Sequence, residues 1–185
     1  MEAVRLDPRR SDFYVNRGLA RNEKGDRDGA IADFTKAIGI QASSPVAYAG
    51  RGDAELAKGD YDAAISNYSV AIQQKPGKAA IFYNARGIAR LRQDNLGGAE
   101  SDFTTAIDKR PEFAEAYANR GKVRNRERAP DDAIADFNKA IELKPDDWRP
   151  SGSRRGKENQ RRLRRLDRRL HPSHQAQTGR VPGLQ

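Results

Sequence analysis

The chain has 185 residues, 36% hydrophobic and 33% charged, with a formal net charge of +9. It contains no cysteine, which excludes a disulfide framework and any thiolate metal site. No apolar run is long enough to cross a bilayer, and residues 1–10 lack the apolar centre of a signal peptide, so the expectation is a soluble chain, cytoplasmic by default. The charge is unevenly placed. Residues 1–148 hold 24 basic and 24 acidic side chains, while 149–185 hold 11 Lys+Arg against only Glu158 and Asp167. Any electrostatic argument about partners therefore concerns the tail.

Taken in order, residues 3–8, A-V-R-L-D-P, match the end of a unit that returns as A-I-E-L-K-P at 140–145. The chain thus opens at 1–10 inside a helix whose partner is missing, which suggests a longer array cut short. Four related units follow, at 11–44, 45–78, 80–113 and 114–147, with Ala79 as one extra residue. Their R-G pairs place Gly18, Gly52, Gly87 and Gly121 at successive separations of 34, 35 and 34 residues. A period near this value is the mark of stacked helix–turn–helix units. In the first unit the helices are expected near 11–24 and 28–41. Ser44 before Pro45 is a good helix start, and Lys75-Pro76-Gly77 a good stop. Gly25-Asp26 and Gly59-Asp60 pair a helix-ending glycine with a capping aspartate. Asp94-Asn95 keeps the cap and loses the glycine. Arg128-Ala129-Pro130 loses both, so the fourth turn is expected to be the least well specified.

Spacing also predicts the packing. Tyr14, Tyr48, Tyr83 and Tyr117 each stand four residues before the R-G glycine, on the same helical face. In the second helices, Ala30-Phe34-Ala37, Ala64-Tyr68-Ala71, Ala99-Phe103-Ala106 and Ala133-Phe137-Ala140 form a stripe of small residues around one aromatic. The residue before each glycine is Arg17, Arg51, Arg86 or Arg120. The residue before each second-helix aromatic is Asp33, Asn67, Asp102 or Asp136. Each arginine is expected to reach its counterpart across the helix pair, the alternative being two solvated faces.

The order aromatic, glycine, alanine, aromatic, alanine, then Pro76, Pro111 or Pro145, resembles the tetratricopeptide repeat family. The resemblance covers about three quarters of the chain and recurs four times in register. It implies an all-α fold, a right-handed superhelical solenoid of antiparallel helix pairs. There are departures. Ala42 replaces the proline in the first unit. Arg21, Glu55, Arg90 and Arg124 stand where the family has an aromatic or aliphatic residue, and Arg27, Leu96 and Pro130 stand where it often has Tyr, as at Tyr61. A loose helix-pair core is expected there.

The resemblance further implies a protein-interaction scaffold. In that family the first helices line a concave groove that takes an extended peptide or a helix of a partner. Carried over by repeat position, the groove is lined by Val15, Asn16, Leu19, Val46, Asp53, Ile81, Asn84, Ile88, Asn119 and Lys122, with an apolar centre. Gly50 and Ala85 interrupt the asparagine ladder that Asn16 and Asn119 would otherwise form. Relatives that bind chaperones grip a C-terminal carboxylate with lysine, asparagine and arginine. Here Val15, Leu19 and Gly50 occupy the matching places, so no such clamp is expected.

No constellation points to an enzyme, and no cofactor is implied. The only histidines, His171 and His174, have Pro172 between them and no further ligand, which argues against a metal. The tail, 148–185, is rich in arginine and has one short stretch, 156–170, that puts Leu163, Leu166 and Leu170 on one helical face. Three readings stay open for it: a disordered or frame-shifted terminus, a helix capping the last unit, or a basic arm for nucleic acid or anionic lipid. The chain as a fragment without independent activity is a further alternative.

Overall fold

The computed structural model describes residues 10–144, which contain eight α-helices and no strand. The half-helix expected at 3–8 and the tail at 148–185 lie outside the described residues. The helices are α1 Ser11–Glu23, α2 Arg27–Ile40, α3 Pro45–Lys58, α4 Tyr61–Gln74, α5 Ala79–Arg92, α6 Leu96–Lys109, α7 Ala114–Arg126 and α8 Pro130–Leu143. A short 3-10 turn, Pro76–Lys78, precedes α5, so helix formation resumes directly at Ala79. Each odd-numbered helix packs on the even-numbered one that follows, and each pair packs on the next.

Local chemistry explains the helix ends. Gly25 and Gly59 take φ of 86° and 87°, a left-handed conformation with little penalty for glycine. Asp26 then accepts from the Gly29 N–H at 2.9 Å, and Asp60 from the Ala63 N–H at 3.2 Å. Asn95 caps α6 through the Gly98 N–H at 3.0 Å, and Ser44 caps α3 through the Ala47 N–H at 3.4 Å. The turns without glycine still adopt the left-handed conformation, at Asp94 (φ 65°) and Arg128 (φ 63°).

The pairs close around aromatic rings. Phe34, Tyr68 and Phe103 are fully buried, and each lies against the glycine of its own pair. A Cβ built on Gly52 would lie 2.9 Å from the Tyr68 ring, and one on Gly87 2.7 Å from Phe103. Gly50 does the same between pairs, because its Cβ would come within 2.5 Å of Phe34. Phe137 packs on Gly121 in the last pair but is only half-buried.

All four arginines before the glycines reach across their pair. Arg17 Nε donates to Asp33 at 2.8 Å, Arg51 to Asn67 at 3.0 Å, Arg86 to Asp102 at 3.0 Å and Arg120 to Asp136 at 2.9 Å. Each guanidinium also lies over the tyrosine three residues earlier, 5.2–5.6 Å from its centroid. The expected loose region is held by polar contacts instead. Arg21, Arg90 and Arg124 each pair with the same buried aspartate as the first arginine. In the second pair Glu55 replaces that arginine and Asn67 replaces the aspartate, and Asn67 Nδ2 donates to Glu55 at 2.6 Å. The two departures compensate, leaving both groups hydrogen-bonded.

Candidate interaction face

Neighbouring first helices touch directly, α1 with α3, α3 with α5 and α5 with α7, whereas among the described residues the second helices make no comparable contact. One face of the array is therefore built from first helices alone. On it, residues seven apart share a helical side: Asp12 and Leu19, Val46 and Asp53, Ile81 and Ile88, Glu115 and Lys122. Leu19 is 39% exposed, Val46 51% and Ile81 47%. They are three of the five large hydrophobic side chains left exposed among the described residues, the others being Ile40 and Ile134 on second helices.

Polar groups on this face are organised in two places. Lys122 Nζ donates to Asn119 Oδ1 at 3.0 Å, and Asn119 Nδ2 donates to Asn84 Oδ1 at 3.1 Å. In the second pair, the hydroxyl of buried Tyr68 donates to Asp53 Oδ1 at 2.7 Å. Asp53 is exposed as a residue, but its bonded oxygen lies against a ring sealed from water. This desolvation raises the Asp53 carboxyl above its ordinary range, and the Tyr68 hydrogen bond offsets only part of the rise. Burial, with the nearby Asp53 charge, pushes the Tyr68 hydroxyl far up, so it stays protonated and donating.

A family model described as tetratricopeptide repeat matches residues 41–79 and 84–147, and a second of the same description matches 11–44. The chain belongs to the tetratricopeptide repeat family. Among curated proteins no match was found. Solved structures share the fold. A crystal structure of MamA superposes with a TM-score of 0.71 at 23% identity, covering 78% of this chain and 84% of that one. The first tetratricopeptide domain of Spaghetti (RPAP3), bound to the HSP90 peptide SRMEEVD, gives 0.61 at 22% identity, covering 64% and 93%. The Arabidopsis OM64 tetratricopeptide domain gives 0.60 at 22%, covering 63% and 95%. The fold is thus the all-α superhelical solenoid of that family.

Within this tetratricopeptide array the residues singled out from sequence divide into three groups. Asn16, Leu19, Val46, Asp53, Ile81 and Lys122 are exposed on first helices. Val15 and Ile88 are half-buried and pack on the core beneath. Asn84 and Asn119 are buried at 9% exposure and bonded to one another, so Asn119 already has partners for both its oxygen and its amide nitrogen. Sequence reasoning missed the Tyr68–Asp53 bond. Its signal was present: Tyr68 is the only hydroxyl among Phe34, Tyr68, Phe103 and Phe137, and Asp53 the only acid among Leu19, Asp53, Ile88 and Lys122.

Proposed function

We propose that this chain is a non-catalytic protein-interaction scaffold whose first-helix face takes up a segment of a partner protein in a concave groove. The observation that supports it is the exposure of Leu19, Val46 and Ile81 together on the one face made only of first helices. Aliphatic side chains gathered on one face and left in water mark a surface that is covered in use. The RPAP3 domain, bound to a peptide, offers a fold-level precedent. A carboxylate clamp forms no part of the reading, because Val15, Leu19 and Gly50 take its positions. The groove instead offers an aliphatic centre, with Lys122 exposed towards the α7 end.

The test is affinity capture by the full-length chain, repeated with Val46→Glu and Ile81→Glu. Both side chains are exposed, so the charges add no buried polar group and the fold should persist. Ser66→Glu, at an exposed second-helix position, serves as control. The expected outcome is loss of a captured partner from the first two variants and retention by the third. Equal capture by all three would place binding elsewhere.

A further inference from the structure

Asp53 is the carboxylate on the first-helix face that the fold positions but does not neutralise. The three buried aspartates Asp33, Asp102 and Asp136 are each matched by two arginines. Asp53 has no ion-pair partner among the described residues, and its Oδ2 makes no hydrogen bond to them. Its Oδ1 is fixed by a hydroxyl that cannot move, because Tyr68 is fully buried against Gly52. Phenylalanine fills the same slot at Phe34, Phe103 and Phe137, so the hydroxyl is not needed for packing. Around the carboxylate the register is aliphatic. Val46 lies two turns earlier on α3, while Leu19 and Ile88 hold the same repeat position on the flanking helices α1 and α5.

We propose that Asp53, held in place by Tyr68, accepts a lysine or arginine side chain from a partner segment whose flanking residues are aliphatic. This rests on the groove reading above and gives it a chemistry. A fixed carboxylate with one open oxygen offers a charge-assisted hydrogen bond without first having to be ordered. The aliphatic neighbours take the methylene stem of the incoming side chain and the residues beside it. Tyr68 acts as a positioning residue, since it touches only the carboxylate. Selectivity follows from complementarity: an acidic side chain at this point meets a like charge, and a neutral one leaves the desolvated carboxylate unpaired.

The experiment uses the full chain and three pools of acetylated, amidated nonapeptides. The central residue is lysine, norleucine or glutamate, and the flanking positions are drawn from Leu, Val, Ala and Ser. Retention on the immobilised protein is read by mass spectrometry. The wild type is expected to hold lysine-centred peptides about tenfold better than norleucine-centred ones, and glutamate-centred ones least. Asp53→Asn keeps an acceptor for Tyr68 and should abolish the lysine preference with an unchanged unfolding midpoint. Tyr68→Phe, which restores the residue used elsewhere in the array, should reduce the ratio about two- to threefold. An unchanged ratio there overturns the positioning role of Tyr68. Ile81→Glu separates the two readings. If it removes the lysine and norleucine pools together while the wild type holds both equally, the groove stands and the role of Asp53 falls. If it retains every pool as the wild type does, the groove reading falls; if the wild type retains none, both fall.

Discussion

A single ring decides how tightly each pair closes. Phe103 is fully buried and touches the backbone at Gly87, whereas Phe137 at the end of the described array is half-buried. Phe103→Ala is therefore expected to cost about 3–5 kcal/mol and Phe137→Ala distinctly less, measured by urea denaturation. Equal losses would mean that the last ring is as enclosed as the inner ones. Beside the rings, the polar network makes a sharper prediction. Asn67 donates to Glu55, so Asn67→Asp places two carboxylates within bonding distance and should destabilise by about 1–3 kcal/mol. Adding Glu55→Arg recreates the arginine–aspartate–arginine set of the other pairs, and a double-mutant cycle should return a favourable coupling of about 0.5–3 kcal/mol. Additive losses would show that the swap is not a unit. Glu55 also has its own pH signature. Desolvation raises its carboxyl above the usual range, opposed by the Asn67 amide and the Arg51 charge and helped by Asp60. An acid with a raised folded value binds its proton more tightly when folded. Its contribution is full below the ordinary glutamate value and is lost as pH rises through the raised one. The stability of the wild type relative to Glu55→Gln should thus fall with rising pH across that window, tested by unfolding midpoints from about pH 4 to about pH 7. A flat difference would contradict the assigned desolvation.

At the scale of the helix and its turn, four connections solve one problem with different residues. Gly25 and Gly59 enter the left-handed region freely, and their place in G-D pairs made both turns legible in the sequence. Asp94 and Arg128 enter it with a side chain attached. Aspartate tolerates that conformation better than arginine, whose Cβ and long stem gain nothing from it. Arg128→Gly is expected to stabilise the α7–α8 turn by about 1 kcal/mol and Asp94→Gly by less, checked by thermal unfolding of the full chain. A lower midpoint for Arg128→Gly would show that Arg128 contributes contacts outweighing the strain. Sequence alone showed that the glycine was missing from these turns. It did not show that the backbone would keep the conformation without it, because that follows from how the next helix must lie on the last. The cross-pair arginine bonds were readable for a simpler reason: an arginine recurs in every unit at one spacing from an aspartate, or from Asn67 in the second unit. Tyr68–Asp53 occurs once, so no internal repetition announced it, and only the placement of α4 under α3 brings the two together.

Across the whole array, stability is expected to travel from pair to pair, since each touches only its neighbours. Sequence reasoning missed the repeated form of the joints, although its signal was present: a hydroxyl residue, Thr35, Ser69 or Thr104, follows the ring of each of the first three pairs. Arg51 Nη1 donates to Thr35 at 3.2 Å, Arg86 Nη1 to Ser69 at 2.9 Å and Arg120 Nη1 to Thr104 at 3.2 Å, each arginine thereby reaching the preceding pair as well as its own. Lys58 with Asp28 and Arg126 with Asp94 add outer contacts of the same kind. At the joint between the first two pairs the close approach is Gly50 on Phe34, and it offers a way to cut the array at one place. Gly50→Leu would drive a side chain into the Phe34 ring, where even a Cβ comes within 2.5 Å, and overpacking of that sort costs about 1–3 kcal/mol. The damage should stay local. Amide exchange followed by mass spectrometry should show lost protection over α1 and α2 and near-normal protection over α5–α8. Gly52→Leu meets Tyr68 inside the second pair instead, so its loss should centre on α3 and α4 and weaken the joints on both sides. If Gly50→Leu lowered protection evenly from α1 to α8, the array would be one cooperative block, and the pairwise account of its stability would fail.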